Sequence, residues 1–86
     1  MHEEEVFGKI LQEERKAKKI TQEKLAKLTG LDRTFISLIE NGKRSPTFAT
    51  ILKMCSALEI LPSELFSKYE SSSSDFDLRF EGKHGK

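Results

Sequence analysis

An 86-residue chain has room for one domain and one small core, because a chain of about that length buries only about 60% of its unfolded surface. Apolar residues make up 36% and charged residues 34%, which suits a small domain with much exposed surface, and no run long and apolar enough to span a bilayer occurs. The net charge of +1 gives no argument for a nucleic-acid partner, and the lone Cys55 excludes an intrachain disulfide and a cysteine-based zinc site.

The charge is unevenly placed. Residues 21–45 carry five basic residues (Lys24, Lys27, Arg33, Lys43, Arg44) against three acidic ones (Glu23, Asp32, Glu40), whereas the flanking segments balance or lean acidic. A phosphate-contacting surface would need its charge in that stretch. The opening MHEEEVF is acidic and lacks an apolar segment, so no secretory signal is expected and the default location is cytoplasmic.

In chain order, residues 1–5 read as a polar lead-in. From Val6 to about Lys18, Phe7, Ile10, Leu11 and Ala17 recur at helical spacing. Gly8 weakens that helix by up to about 1 kcal/mol relative to alanine, so it has to rely on tertiary packing. Thr21 is placed to cap a second helix, with Glu23 in its first turn and Leu25, Ala26 and Leu28 on its buried side. Gly30 suits the left-handed position that ends it. Asp32 then caps a third helix, about Arg33 to Glu40. At about 100° per residue, Ile36 and Ile39 define its inward side, and Arg33, Thr34, Ser37 and Leu38 fall opposite. Phe35 and Glu40 sit at the two boundaries.

Asn41-Gly42 closes the third helix, and Lys43, Arg44, Ser45 and Pro46 form a basic loop. Thr47 caps a fourth helix with Phe48, Ile51, Leu52, Cys55 and Leu58 as its apolar stripe. Leu61-Pro62 opens a fifth, running through Leu65 and Phe66 to about Tyr69. Composition shifts at Glu70: Ser71 to Ser74 reads as a linker, and Phe76, Leu78 and Phe80 then alternate with Asp75, Asp77, Arg79 and Glu81 in a period-2 strand pattern. The expected architecture is all-α with five helices over residues 1–69, followed by a tail, 70–86, able to form one strand at 75–81.

The stretch Gln22–Asn41, QEKLAKLTGLDRTFISLIEN, carries a resemblance. Ala26 is the small residue where two helices approach, Gly30 makes the turn, and Ile36 and Ile39 anchor the second helix. Outside it, Arg15 on the first helix, Thr21-Gln22-Glu23-Lys24-Leu25-Ala26, and the run Ile36 to Lys43 leading to Pro46 extend the match. This resembles the helix-turn-helix of the Cro/CI-type (XRE) regulators over about Val6 to Phe66. LDRTFIS is similar to the recognition segment of small restriction–modification controller proteins. The resemblance implies a lambda-repressor-like DNA-binding domain, a sequence-specific regulator that acts as a homodimer on a palindromic operator in double-stranded DNA. Lys19 and Glu59 stand at helix ends where the family often has glycine, and Leu61 replaces a common polar cap.

On that resemblance Gln22 matches a phosphate-contacting glutamine at the N-terminus of the second helix, and the third helix enters the major groove. Arg33 is expected to read a base, because a guanidinium can bond guanine O6 and N7 together. Thr34 and Ser37 can reach base edges or phosphate, Leu38 a thymine methyl, and Lys43 and Arg44 phosphates. Arg15 and Glu40 match a buried ion pair that positions the recognition helix. Leu61, Leu65, Phe66 and Tyr69 offer a dimer surface. A plainer reading stays open for each: solvated charges at Arg33, Lys43, Arg44, Arg15 and Glu40, exposed fillers at Thr34, Ser37 and Leu38, and α-helical closure of the monomer core by the four dimer candidates.

His2 and His84 lie in opposite tails without metal-ligand spacing, and no set of residues resembles a catalytic constellation. Neither an enzyme nor a cofactor nor a metal is therefore expected. A function of another class remains open, an antitoxin or adaptor module whose tail captures a partner protein. Residues 75–81 could add a strand to such a partner, pair with their own copy, or stay disordered.

Overall fold

The computed structural model describes residues 2–72. They form five helices: α1 (His2–Ala17), α2 (Gln22–Thr29), α3 (Arg33–Glu40), α4 (Phe48–Leu58) and α5 (Pro62–Ser72). The strand expected at 75–81 lies outside the described residues. Helix α1 packs on α3 and α5, α2 on α3 and α4, and α4 on α5. The core they enclose is built from Leu11, Leu25, Ile36, Ile39, Met54, Cys55, Leu58 and Leu65, with Phe7, Ile10 and Ile60 at its edge.

The boundaries follow from capping chemistry. Thr21 and Thr47 accept hydrogen bonds from the Lys24 and Thr50 amides at 3.0 and 3.1 Å, as Ncap threonines do. Helix α1 starts four residues before the apolar stripe begins. Its first turn is Glu3, Glu4 and Glu5, whose charges favour the positive end of the helix dipole, so a polar lead-in is helix. Helix α5 likewise runs past Tyr69 and takes in Ser71 and Ser72, the first half of the expected linker. Leu61 is a poor cap by itself. The Glu64 carboxylate compensates by accepting from the Leu61 amide at 3.1 Å, one half of a capping box.

Three helices end the same way, in Schellman motifs with a left-handed residue at the turn. Gly42 (φ 74°) closes α3, while Lys19 (φ 60°) and Glu59 (φ 56°) close α1 and α4. The paired bonds are present in each: Lys19 N to Lys16 O and Ile20 N to Arg15 O, Gly42 N to Ile39 O and Lys43 N to Leu38 O, Glu59 N to Ser56 O and Ile60 N to Cys55 O. The left-handed positions that the departures from glycine imply are therefore occupied by Lys19 and Glu59. The Lys18 ammonium also crosses to α4 and donates to the Leu58 and Glu59 carbonyls at 2.9 and 3.3 Å, a cation at a helix C-terminus.

Three sequence expectations need correction. Asp32 has Ncap backbone angles, but its carboxylate accepts no capping hydrogen bond; only its carbonyl engages, from Ile36 N at 3.1 Å. Leu28 is half exposed, because the buried side of α2 is centred between Gln22, Leu25, Ala26 and Thr29 and Leu28 lies about 110° from it. On α4 the buried side is Ile51, Met54, Cys55 and Leu58, so Phe48 and Leu52 face outward at 68% and 39% exposure. Met54, absent from the expected stripe, is fully buried.

Candidate nucleic-acid interface

Helix α3 is only eight residues long, and isolated helices of that length do not hold together in water. Its order comes from its inner side, where Ile36 and Ile39 are completely buried and Glu40 nearly so. The same burial fixes what faces out. Arg33 and Thr34 are exposed, and Ser37 and Leu38 are half-buried beside them on one continuous face. No described side chain hydrogen-bonds to Arg33 or Thr34, so their polar groups are available to an incoming surface. Ser37 is partly engaged: the Asn41 amide donates to its carbonyl at 2.9 Å and to its hydroxyl at 3.4 Å.

The C-terminal end of α3 is locked to α1 and α2 by charge. Arg15 Nε donates to Glu40 Oε2 at 2.6 Å and its Nη2 to Oε1 at 3.0 Å, a two-pronged pair, while Nη1 donates to the Ile20 carbonyl at 2.8 Å. Gln22 Nε2 donates to the same Oε1 at 3.0 Å. Four groups from three helices and a turn thus meet in one satisfied network, as a buried charge requires. Gln22, expected on phosphate, holds its amide nitrogen inward here. The amide has a second N–H, which stands with the helix N-terminus as a donor for an anion at the start of α2.

Gly8 is the second fixing point, and its role was hidden in the sequence. A methyl group there would overlap the Ile39 carbonyl oxygen and come within 2.8 Å of the Glu40 carbonyl oxygen. The glycine lets the α1 backbone lie directly on the last turn of α3. What reads in the sequence as a flaw in α1 is a close approach that places the recognition helix.

The loop after α3 carries the remaining cations. Lys43 and Arg44 are both exposed. Arg44 is not loose: its guanidinium carbon sits 5.4 Å from the centre of the Phe35 ring, within cation–π range. Phe35 in turn packs against the core. The basic loop, the N-terminus of α2 and the face of α3 offer polar and cationic groups to solvent, and Lys24, Lys27 and Arg33 line one hollow between α2 and α3. The residues expected at a dimer contact lie elsewhere and divide. Leu65 is 1% exposed and belongs to the monomer core, Phe66 stacks on Phe7 with ring centres 6.5 Å apart, Tyr69 is partly buried, and Leu61 is 63% exposed.

A buried-backed helix with a free polar face, preceded by a helix joined through a left-handed glycine, defines a helix-turn-helix. The chain belongs to the helix-turn-helix family of XRE type, whose pattern matches residues 11–65; it is a DNA-binding transcription regulator and not an enzyme. It is 45% identical over 65 residues to the control protein C.MunI of a Mycoplasma species, covering 74% of this chain and 88% of that one. Among solved structures it is similar to the restriction–modification controller protein C.AhdI of Aeromonas hydrophila, with 43% identity, a TM-score of 0.73, and coverage of 76% of this chain and 98% of that chain. It is also similar to the controller protein C.Esp1396I, solved as a tetramer on its natural 35-base-pair operator, at 28% identity, TM-score 0.78, and 84% and 95% coverage. The resemblance seen in LDRTFIS is thus to the class of proteins that these relatives represent. No helix among the described residues is long and apolar enough to cross a membrane.

Proposed function

We propose that the chain acts as a cytoplasmic homodimer on a palindromic operator in double-stranded DNA, with α3 in the major groove of each half-site. The observation that carries this is the orientation of α3. One side is fixed by Ile36, Ile39 and the Arg15–Glu40–Gln22 network, and the opposite side offers Arg33, Thr34, Ser37 and Leu38 to solvent. Arg33 lies in the first turn, where a recognition helix meets base edges, and supplies the strongest base-reading group of the four. Lys43, Arg44 and the N-terminus of α2 sit beside it as phosphate contacts that set the register.

One α3 covers a half-site only, so pairing has to come from another face. Leu65 belongs to the core, and the exposed apolar side chains Leu52 and Leu61 take its place at the elbow between α4 and α5, with Phe48 at the far end of α4, Phe66 at 38% exposure and Tyr69 further along α5. Leu52 and Leu61 wall one hollow there with Ile60 and Pro62. A small chain gains most by covering such a patch with a copy of itself. No observation on the described residues favours the alternative of a partner protein bound through residues 75–81.

Selection of binding sites from random duplex DNA tests the proposal directly. It should return a two-fold symmetric sequence with its half-sites about one helical turn apart. Recovery of no consensus, or of a single asymmetric half-site bound by a monomer, would overturn it.

A further inference from the structure

We infer that Phe35 is a positioning residue that holds Arg44 ready for the DNA backbone, so that the recognition helix presets one of its own phosphate contacts. This rests on the operator reading above. Arg44 and Lys43 are neighbours in one exposed loop, yet they are held differently. The guanidinium of Arg44 lies over the Phe35 ring at 5.4 Å. Lys43 has no such support among the described residues.

The chemistry suits arginine. A planar, weakly hydrated guanidinium stacks on a ring and still points donors outward, which a compact ammonium does less well. An arginine at a loop otherwise loses much rotamer freedom when it grips a phosphate, and a side chain already restrained loses less. Phe35 can serve as the platform because it is itself restrained. It projects from the boundary of α3, between Thr34 on the reading face and Ile36 in the core, and packs against that core. The ring has no hydrogen-bonding group to place on a base edge. Its contribution therefore goes through Arg44.

A double-mutant cycle separates this from a merely structural role. The probe is the duplex recovered by selection with the unaltered chain, and binding is measured by fluorescence anisotropy across a salt series. Phe35→Leu should weaken binding about two- to fivefold, the size expected of one cation–π contact. The slope of log Kd on log salt should stay the same, because the cation is still present. Arg44→Ala should reduce that slope by about 0.9, one phosphate. Phe35→Leu should then have no further effect in the Arg44→Ala chain, and Phe35→Tyr, which keeps the ring, should bind as the unaltered chain does. An equal loss from Phe35→Leu with and without Arg44 would overturn the inference, as would no loss at all. A second measurement needs no DNA: the Arg44 side-chain protons should be shifted upfield by the ring current and revert in Phe35→Leu. Ring-current shifts present in a chain that binds no duplex would sink the operator reading and the positioning role together. A chain that binds its duplex but shows no coupling between Phe35 and Arg44 would sink the positioning role alone.

Discussion

Glu40 receives three hydrogen bonds from side chains while almost no part of it meets water. Removing one partner strands the others, so Glu40→Ala should destabilise the fold by about 3–5 kcal/mol in urea unfolding followed by circular dichroism. Arg33→Ala should behave oppositely. It lies outside the core and should change stability by less than about 0.5 kcal/mol, yet discrimination at one base pair of the operator should fall by about 1–3 kcal/mol, read by anisotropy against a series of base substitutions. Burial pushes the Cys55 thiol above its ordinary pKa, which disfavours the reactive thiolate. A thiol reagent at neutral pH should label Cys55 only at the rate of unfolding. At this scale the sequence was uneven. The Arg15–Glu40 pair was visible through the family resemblance, but Gln22 as its third member depends on a side-chain direction that spacing does not encode.

Helix ends make the clearest predictions at the level of elements. Lys19 and Glu59 hold left-handed backbones in Schellman turns, conformations that penalise a side chain by about 1–2 kcal/mol. Glu59→Gly should raise the unfolding midpoint, with a net gain of about 1 kcal/mol after glycine's greater entropy in the unfolded chain. Gly8→Ala should do the reverse, although alanine is the better helix former, because the added methyl meets the α3 backbone; thermal unfolding of both variants checks the pair. The elements themselves were legible in the sequence because caps and turn residues announce them locally: Thr21, Gly30, Gly42, Thr47 and Pro62 all stand at the boundaries found. Faces were less legible. Phe48 and Leu52 fit the helical period as well as Met54 does, and only the position of α4 against its neighbours decides which side is covered. The first turn of α1 was missed for the converse reason, since its sequence, His2 to Glu5, has no apolar residue to reveal it.

At the scale of the whole molecule, the proposed homodimer needs a face that pairs. Phe48, Leu52 and Leu61 are side chains that a monomer gains nothing by exposing. Leu61→Lys should shift the dimer to monomer in sedimentation velocity without lowering monomer stability, and should weaken operator binding while leaving the base preference of each half-site unchanged. Phe66→Ala should instead act on stability, because its ring stacks on Phe7. Sequence reasoning offered Leu61, Leu65, Phe66 and Tyr69 for pairing, and Leu65 turns out to be buried in the monomer core. A residue on an amphipathic helix can face its own core or a partner, and periodicity treats the two alike.

The arrangement that holds α3 at its last turn also leaves its first turn unburdened. Gly8, Arg15 and Gln22 all act at or beside Glu40, whereas the side chains of Arg33 and Thr34 make no hydrogen bonds to the rest of the described chain. On the proposed operator reading, recognition and folding thus depend on different residues of the same short helix. A chain built this way can change the operator it reads by substitution at 33 and 34 without passing through an unfolded intermediate. Exchange of those two positions for other polar residues should yield a family of proteins with one melting temperature and many target sequences, a scaffold on which specificity is free to diverge.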